Sequence, residues 1–104
     1  MDLKERIWLA LEEVIDPEIH VNIVDLGLVY GLEVDENKNV SIRMTLTIPE
    51  CPMADEIVQD VKSKVEALPE VNEAKVELVW EPAWTPALMT DQGIEEFRRQ
   101  RSGL

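Results

Sequence analysis

One cysteine stands in the 104 residues, Cys51, and one histidine, His20. A lone thiol excludes an intramolecular disulfide framework. No Cys-x-x-Cys, no His-Glu-x-x-His and no glycine-rich phosphate loop occurs. Zinc-finger, metalloprotease and nucleotide chemistry therefore have no support. Positive charge is scarce: ten Lys and Arg face twenty-two Asp and Glu, a formal net charge of −12. A field of that sign repels phosphate backbones and anionic lipid, so neither nucleic acid nor a membrane is an expected partner. No run approaches the roughly 20 apolar residues that a membrane span requires. Met1 to Arg6 is charged and leads into no apolar run, so no signal peptide is expected. The expected setting is cytoplasmic, where thiols stay reduced.

Hydrophobic residues make up 45% of the chain, the share of an ordinary globular protein, and 104 residues fit one domain. The expectation is one domain over 1–104, with its core over about 3–90 and a helical tail over about 90–104. Leu3, Ile7, Leu11 and Val14 recur at helical spacing, with Trp8, Ala10 and Ile15 widening the stripe. They predict a helix over 3–15, opened by an Asp2/Glu5 capping box and ended by Asp16-Pro17. Residues 16–27 form an unusually long connection with three carboxylates and five aliphatic side chains, expected to pack down. A strand over 28–34 and a second over 40–48 should pair as a hairpin across the polar turn 35–39. In the second strand Val40, Ile42, Met44, Leu46 and Ile48 face one side, and Ser41, Arg43, Thr45 and Thr47 the other.

Pro49 stops that strand, and a second helix starts at Cys51-Pro52, with Ala54, Ile57, Val58, Val61, Val65 and Leu68 inward, and ends at Pro69. A third strand over 72–80 turns Ala74, Val76, Leu78 and Trp80 inward. The prolines at 82 and 86 exclude regular structure there, and a short polar helix from about Thr90 to Arg101, frayed at its end, follows. The order is α-β-β-α-β-α. It predicts a two-layer α+β sandwich, a three-stranded sheet with both main helices on one face.

Cys51 falls where the second strand hands over to the second helix. A thiol there feels the helix dipole and unpaired N–H groups, which favour thiolate, the form that attacks electrophiles and binds metals. Glu50, Asp55 and Glu56 oppose a further negative charge, and a buried, inert cysteine is the plain alternative. Thr45 and Thr47 could line a pocket beside the thiol, or simply hold positions that suit β-branched residues. Asp16, Glu18 and Asp25 bracket the long loop; they could bind a cation with Cys51 or orient a neighbour, while capping and turn roles explain Asp16 and Asp25 equally well. His20 and Cys51 would form a nucleophilic pair only if the fold joined them, and a surface position suits His20 better. Trp80 and Trp84 flank Pro82 and read as core packing and loop capping.

The same residues resemble a known family. Asp16-Pro17-Glu18, Asn22-Ile23-Val24-Asp25-Leu26-Gly27-Leu28-Val29-Tyr30, Thr45-Leu46-Thr47, Cys51-Pro52 and Val79-Trp80-Glu81-Pro82-Ala83-Trp84 occur in order. Together they resemble the metal–sulfur cluster biosynthesis family, which includes SufT-like proteins and the phenylacetate-oxygenase assembly protein PaaD. The likeness covers about residues 3–90. It implies an iron–sulfur assembly fold and a role in maturing or delivering clusters. The implied partners are iron–sulfur assembly proteins and recipient apo-proteins, and no nucleotide is implied. It carries Cys51 over as the functional residue, the cluster's thiolate and metal ligand, with Asp16, Glu18, Thr45 and Thr47 around it. PaaD-type members carry further C-terminal cysteines; this sequence has none through Leu104, so the minimal form is expected rather than the oxygenase-specific one.

Clusters are usually held by about four thiolates. A transient iron–sulfur cluster on this chain would be shared with a second copy in a homodimer, completed by a partner, or only passed through. The expectation is a carrier or adaptor that is not an enzyme. Two alternatives stay open: an interaction module with a structural cysteine, and a Cys51-dependent enzyme using the helix N-terminus as an oxyanion site.

Overall fold

The computed structural model describes residues 2–16, 19–47 and 54–102. Helix α1 spans Leu3–Leu11, and the Asp2 carboxylate accepts from the Glu5 amide at 2.9 Å, as the capping pattern predicts. The helix ends four residues before the expected boundary, at Leu11 rather than Ile15. The cause is a contact that periodicity does not record. Ile15 bridges to Asn22 in antiparallel fashion, and the Asp16 amide donates to the Val21 carbonyl at 3.1 Å. The chain before Asp16 is thereby drawn out of the helix. Val14 stays buried, but Ile15, expected in the buried stripe, is 49% exposed.

Strands β1 (Val29–Val34) and β2 (Asn39–Met44) pair antiparallel from Val29↔Met44 to Val34↔Val40, the expected hairpin. Helix α2 (Ala54–Glu66) then leads to β3 (Glu73–Leu78), which lies parallel to β2 from Asn39↔Glu73 to Met44↔Leu78. The sheet order is β1-β2-β3. Leu32, Val40, Ile42, Met44 and Ala74 are buried, while their strand neighbours Glu33, Ser41, Arg43, Lys75 and Glu77 are exposed. Ile7 and Leu11 of α1 and Ile57, Val61 and Val65 of α2 join those residues in one cluster. Both helices therefore cover one sheet face, the two-layer α+β sandwich expected. Each fully buried aliphatic side chain contributes about 1.5–3 kcal/mol. Most of the fold's stability accordingly resides between the layers.

Strand β3 stops at Leu78, and Trp80 is 40% exposed instead of facing inward. The Val79 amide still reaches the Met44 carbonyl at 2.9 Å, after which the chain leaves the sheet toward Pro82. A single 3-10 turn (Pro86–Leu88) precedes helix α3 (Asp91–Ser102).

The outer edge of β3 is covered at Ala74 by side chains of α2. Lys62 Nζ donates to the Ala74 carbonyl at 2.6 Å, and the Ala74 amide donates to Glu66 Oε2 at 3.0 Å. Lys62 and Glu66 are themselves paired at 3.0 Å, one helical turn apart. The Ala74 amide first, and Lys62 second, hold the Glu66 carboxyl below its usual 4.5. A depressed carboxylate stabilises the fold fully above its unfolded pKa, and the contribution is lost as pH falls through the folded value. The melting temperature of the wild type should therefore fall more steeply below pH 4.5 than that of Glu66→Gln. Parallel curves for the two proteins would refute this assignment.

Candidate functional site

The long connection after α1 folds into a compact loop. Val21, Ile23 and Leu26 are buried, which satisfies the expectation that it packs down. Asn22 organises it: its Oδ1 accepts from the Asp25 amide at 2.9 Å, and its Nδ2 donates to Asp25 Oδ2 at 2.7 Å. Gly27 closes the loop at φ +78°, a left-handed conformation that glycine adopts without steric cost. A Cβ there would collide with the Leu88 carbonyl.

Asp25 resolves toward the structural of its two readings. Its second oxygen accepts from Thr90 Oγ1 at 2.8 Å, and its carbonyl accepts from the Thr90 amide at 2.9 Å. Thr90 in turn caps α3, its hydroxyl accepting from the Gly93 amide at 3.0 Å. Gly93 is buried against the Asp25 carbonyl. The start of α3 is thus fastened to the loop rather than trailing as a tail. Trp84 adds a further tie, its Nε1 donating to the Leu26 carbonyl at 2.6 Å, and the Tyr30 hydroxyl donates to the Pro82 carbonyl at 2.8 Å. Trp84 is half-buried, as a loop cap should be. Sequence reasoning missed Thr90 and Gly93; a threonine just before a helix, with an amide three residues on to satisfy, was the available signal.

Asp16 and Thr45 are two of the three buried polar side chains among the described residues, at 3% and 1% exposure; Asp25 is the third. A carboxylate so enclosed requires donors. Asp16 Oδ1 accepts from the Ile19 amide at 3.0 Å. Thr45 departs from expectation. Because β2 ends at Met44, Thr45 does not continue the alternation onto the exposed sheet face but turns inward. Its amide donates to the Leu28 carbonyl at 2.8 Å. Leu46 is buried beside it, and Thr47 is half-buried.

Hydrogen bonds run from this turn back toward Asp16. The Leu28 amide donates to the Ile23 carbonyl, and the Ile23 amide to the Val14 carbonyl, both at 3.0 Å. Thr45 and Thr47 therefore lie at the end of the sandwich where β2 ends and β1 begins, linked through Leu28 and Ile23 to Val14, two residues before Asp16. Ile15, just before Asp16, lines a groove with Glu56, Ile57 and Asp60 of α2. Cys51 and Glu18 lie outside the described residues. The chain leaves Thr47 at this end and is next described at Ala54, the start of α2, with Asp55 and Glu56 in the first turn. His20 is exposed at φ +66°, and its amide donates to the Asp16 carbonyl at 2.8 Å. Among the described residues, no group of three or more His, Cys, Asp or Glu side chains is placed to hold a metal ion. No described helix is long and apolar enough to cross a membrane.

A family model described as an iron–sulfur cluster assembly protein matches residues 4–78, the stretch from α1 to the end of β3. The chain belongs to the iron–sulfur cluster assembly protein family. Relatives in this family are close. The Fe-S protein maturation auxiliary factor YitW of Bacillus subtilis is 52% identical over 83 residues, 80% of this chain and 81% of its own. The Fe-S protein maturation auxiliary factor SufT of Staphylococcus aureus is 43% identical over 77 residues, 74% of this chain and 88% of its own. The crystal structure of a domain of unknown function, DUF59, from Bacillus anthracis matches the fold with a TM-score of 0.88 at 44% identity, covering 92% of each chain. The resemblance to SufT-like members of the iron–sulfur assembly family is confirmed, and so is the α+β architecture it implied.

Proposed function

We propose that this chain is an iron–sulfur protein maturation factor, a carrier that holds a cluster as cargo through Cys51 and passes it to recipient proteins. The observation that carries the reading is the likeness, over most of both chains, to proteins named as Fe-S protein maturation auxiliary factors. The buried Thr45 and half-buried Thr47, where the chain leaves β2 ahead of Cys51 in sequence, support a site at that end of the sandwich. Cys51 supplies the thiolate. The Thr45 and Thr47 hydroxyls tune it by hydrogen bonding, and Asp16 and Glu18 complete its surroundings. One chain offers one thiolate where a cluster needs about four. A second copy or a recipient therefore completes the ligand set, and an incomplete set suits a carrier that must release its cargo. The work is that of a cytoplasmic, non-catalytic factor acting within one domain.

Anaerobic reconstitution with iron and sulfide tests this on the wild type and Cys51→Ala. The wild type should gain iron and sulfide-to-iron absorption, and Cys51→Ala should stay at background. If neither protein gains a cluster, the carrier reading fails. The adaptor reading then predicts that Cys51→Ala still binds recipients and supports their maturation.

A further inference from the structure

We infer that the groove between Ile15 and α2 is a docking surface for a basic, apolar-centred segment of a partner protein. The groove, of about 470 Å³, is lined by Ile15, Glu56, Ile57, Gln59, Asp60 and Ser63. Glu56, Asp60 and Ser63 follow at intervals of four and three, so α2 presents them as one row. Ile57 is buried at its foot, while Ile15 stands half-exposed across from it, fixed by its bridge to Asn22. An aliphatic side chain held open to solvent by backbone pairing is a ready anchor contact.

The charge of the groove decides the partner. Among the described residues, every ionisable one lining it is acidic. Glu56 and Asp60 form no ion pair with described residues. The neighbouring Lys62 is committed to Glu66 and the Ala74 carbonyl on the far side of the helix. Glu12 and Glu13, just before Ile15, are exposed and extend the acidic field. A partner bearing Lys or Arg around one apolar side chain matches this pattern, and an acidic one is repelled. The groove begins at the first turn of α2, the end from which the chain leads back to Cys51. The docking surface rests on the maturation reading only in assigning the chain a protein partner.

The test is an amide NMR titration with a synthetic peptide carrying a central leucine flanked by arginines, with a leucine–glutamate counterpart as control. Shifts should concentrate at Ile15, Glu56, Ile57, Asp60 and Ser63. Asp60→Lys, an exposed mid-helix change, and Ile15→Ser should each weaken binding about fivefold or more, and salt should weaken it for the wild type. Shifts centred elsewhere, equal binding of the acidic peptide, or binding indifferent to both substitutions would overturn the proposal. So would shifts at the same residues that grow with protein concentration alone, which would make a second copy the occupant. The titration uses no iron. Its failure therefore leaves the Cys51 reading intact, and failed reconstitution leaves this surface intact.

Discussion

Gly27→Ala should destabilise the protein by about 2–4 kcal/mol, read as a lower midpoint in urea unfolding. Two causes add. At φ +78° an alanine occupies a conformation that L-residues disfavour. Its Cβ would also enter the Leu88 carbonyl, which is backbone and has no rotamer to yield. Gly31→Ala is the internal control. A Cβ there meets the Arg43 side chain at 2.6 Å, and no positive φ is involved. That flexible, exposed side chain can swing away, so the cost should stay below about 1 kcal/mol. Equal losses at the two glycines would show that the Gly27 turn does not close the loop against Leu88.

Asp25→Ala should cost about 2–4 kcal/mol, because two donors in a mostly buried site lose their acceptor together. Asn22 Nδ2 and Thr90 Oγ1 both point at the carboxylate, at 2.7 and 2.8 Å. The partners act through one group, so the effects should not add. Thr90→Val combined with Asp25→Ala should cost less than the sum of the two single changes. The loss should also be local before it is global. Amides at the start of α3 should exchange with solvent faster in Asp25→Ala, while those of β2 keep the protection of the wild type. Unchanged exchange in α3 would mean that the Asp25–Thr90 bond is not what holds that helix down.

Features governed by neighbours in sequence were legible in advance. The Asp2 cap, the β1–β2 hairpin, the buried alternation of Val40, Ile42 and Met44, and the α2 stripe all depend on residues a few positions apart. The departures have a common origin in contacts between distant segments. Ile15 fits the helical period of α1, yet its bridge to Asn22 removes it from the helix. Thr45 fits the outward set of β2, yet bonding to Leu28 buries it. Trp80 continues the inward set of β3 but lies beyond the last paired residue. The Asp25–Thr90 tie spans 65 positions, and no local pattern announces it. For the candidate site, Asp16, Thr45 and Thr47 were identified as residues, but the bonds through 14, 23, 28 and 45 that tie their segments together follow from no local pattern.

The Lys62 and Glu66 side chains occupy hydrogen-bonding positions that a neighbouring strand would otherwise take at Ala74. An open sheet edge is a template on which identical molecules can stack into fibrils, and charged groups laid across it block that growth. Acid weakens the block as it protonates Glu66, leaving only Lys62 charged at that edge. The first visible consequence of low pH should therefore be light scattering from edge-to-edge assembly, appearing while the helices still give their native circular dichroism.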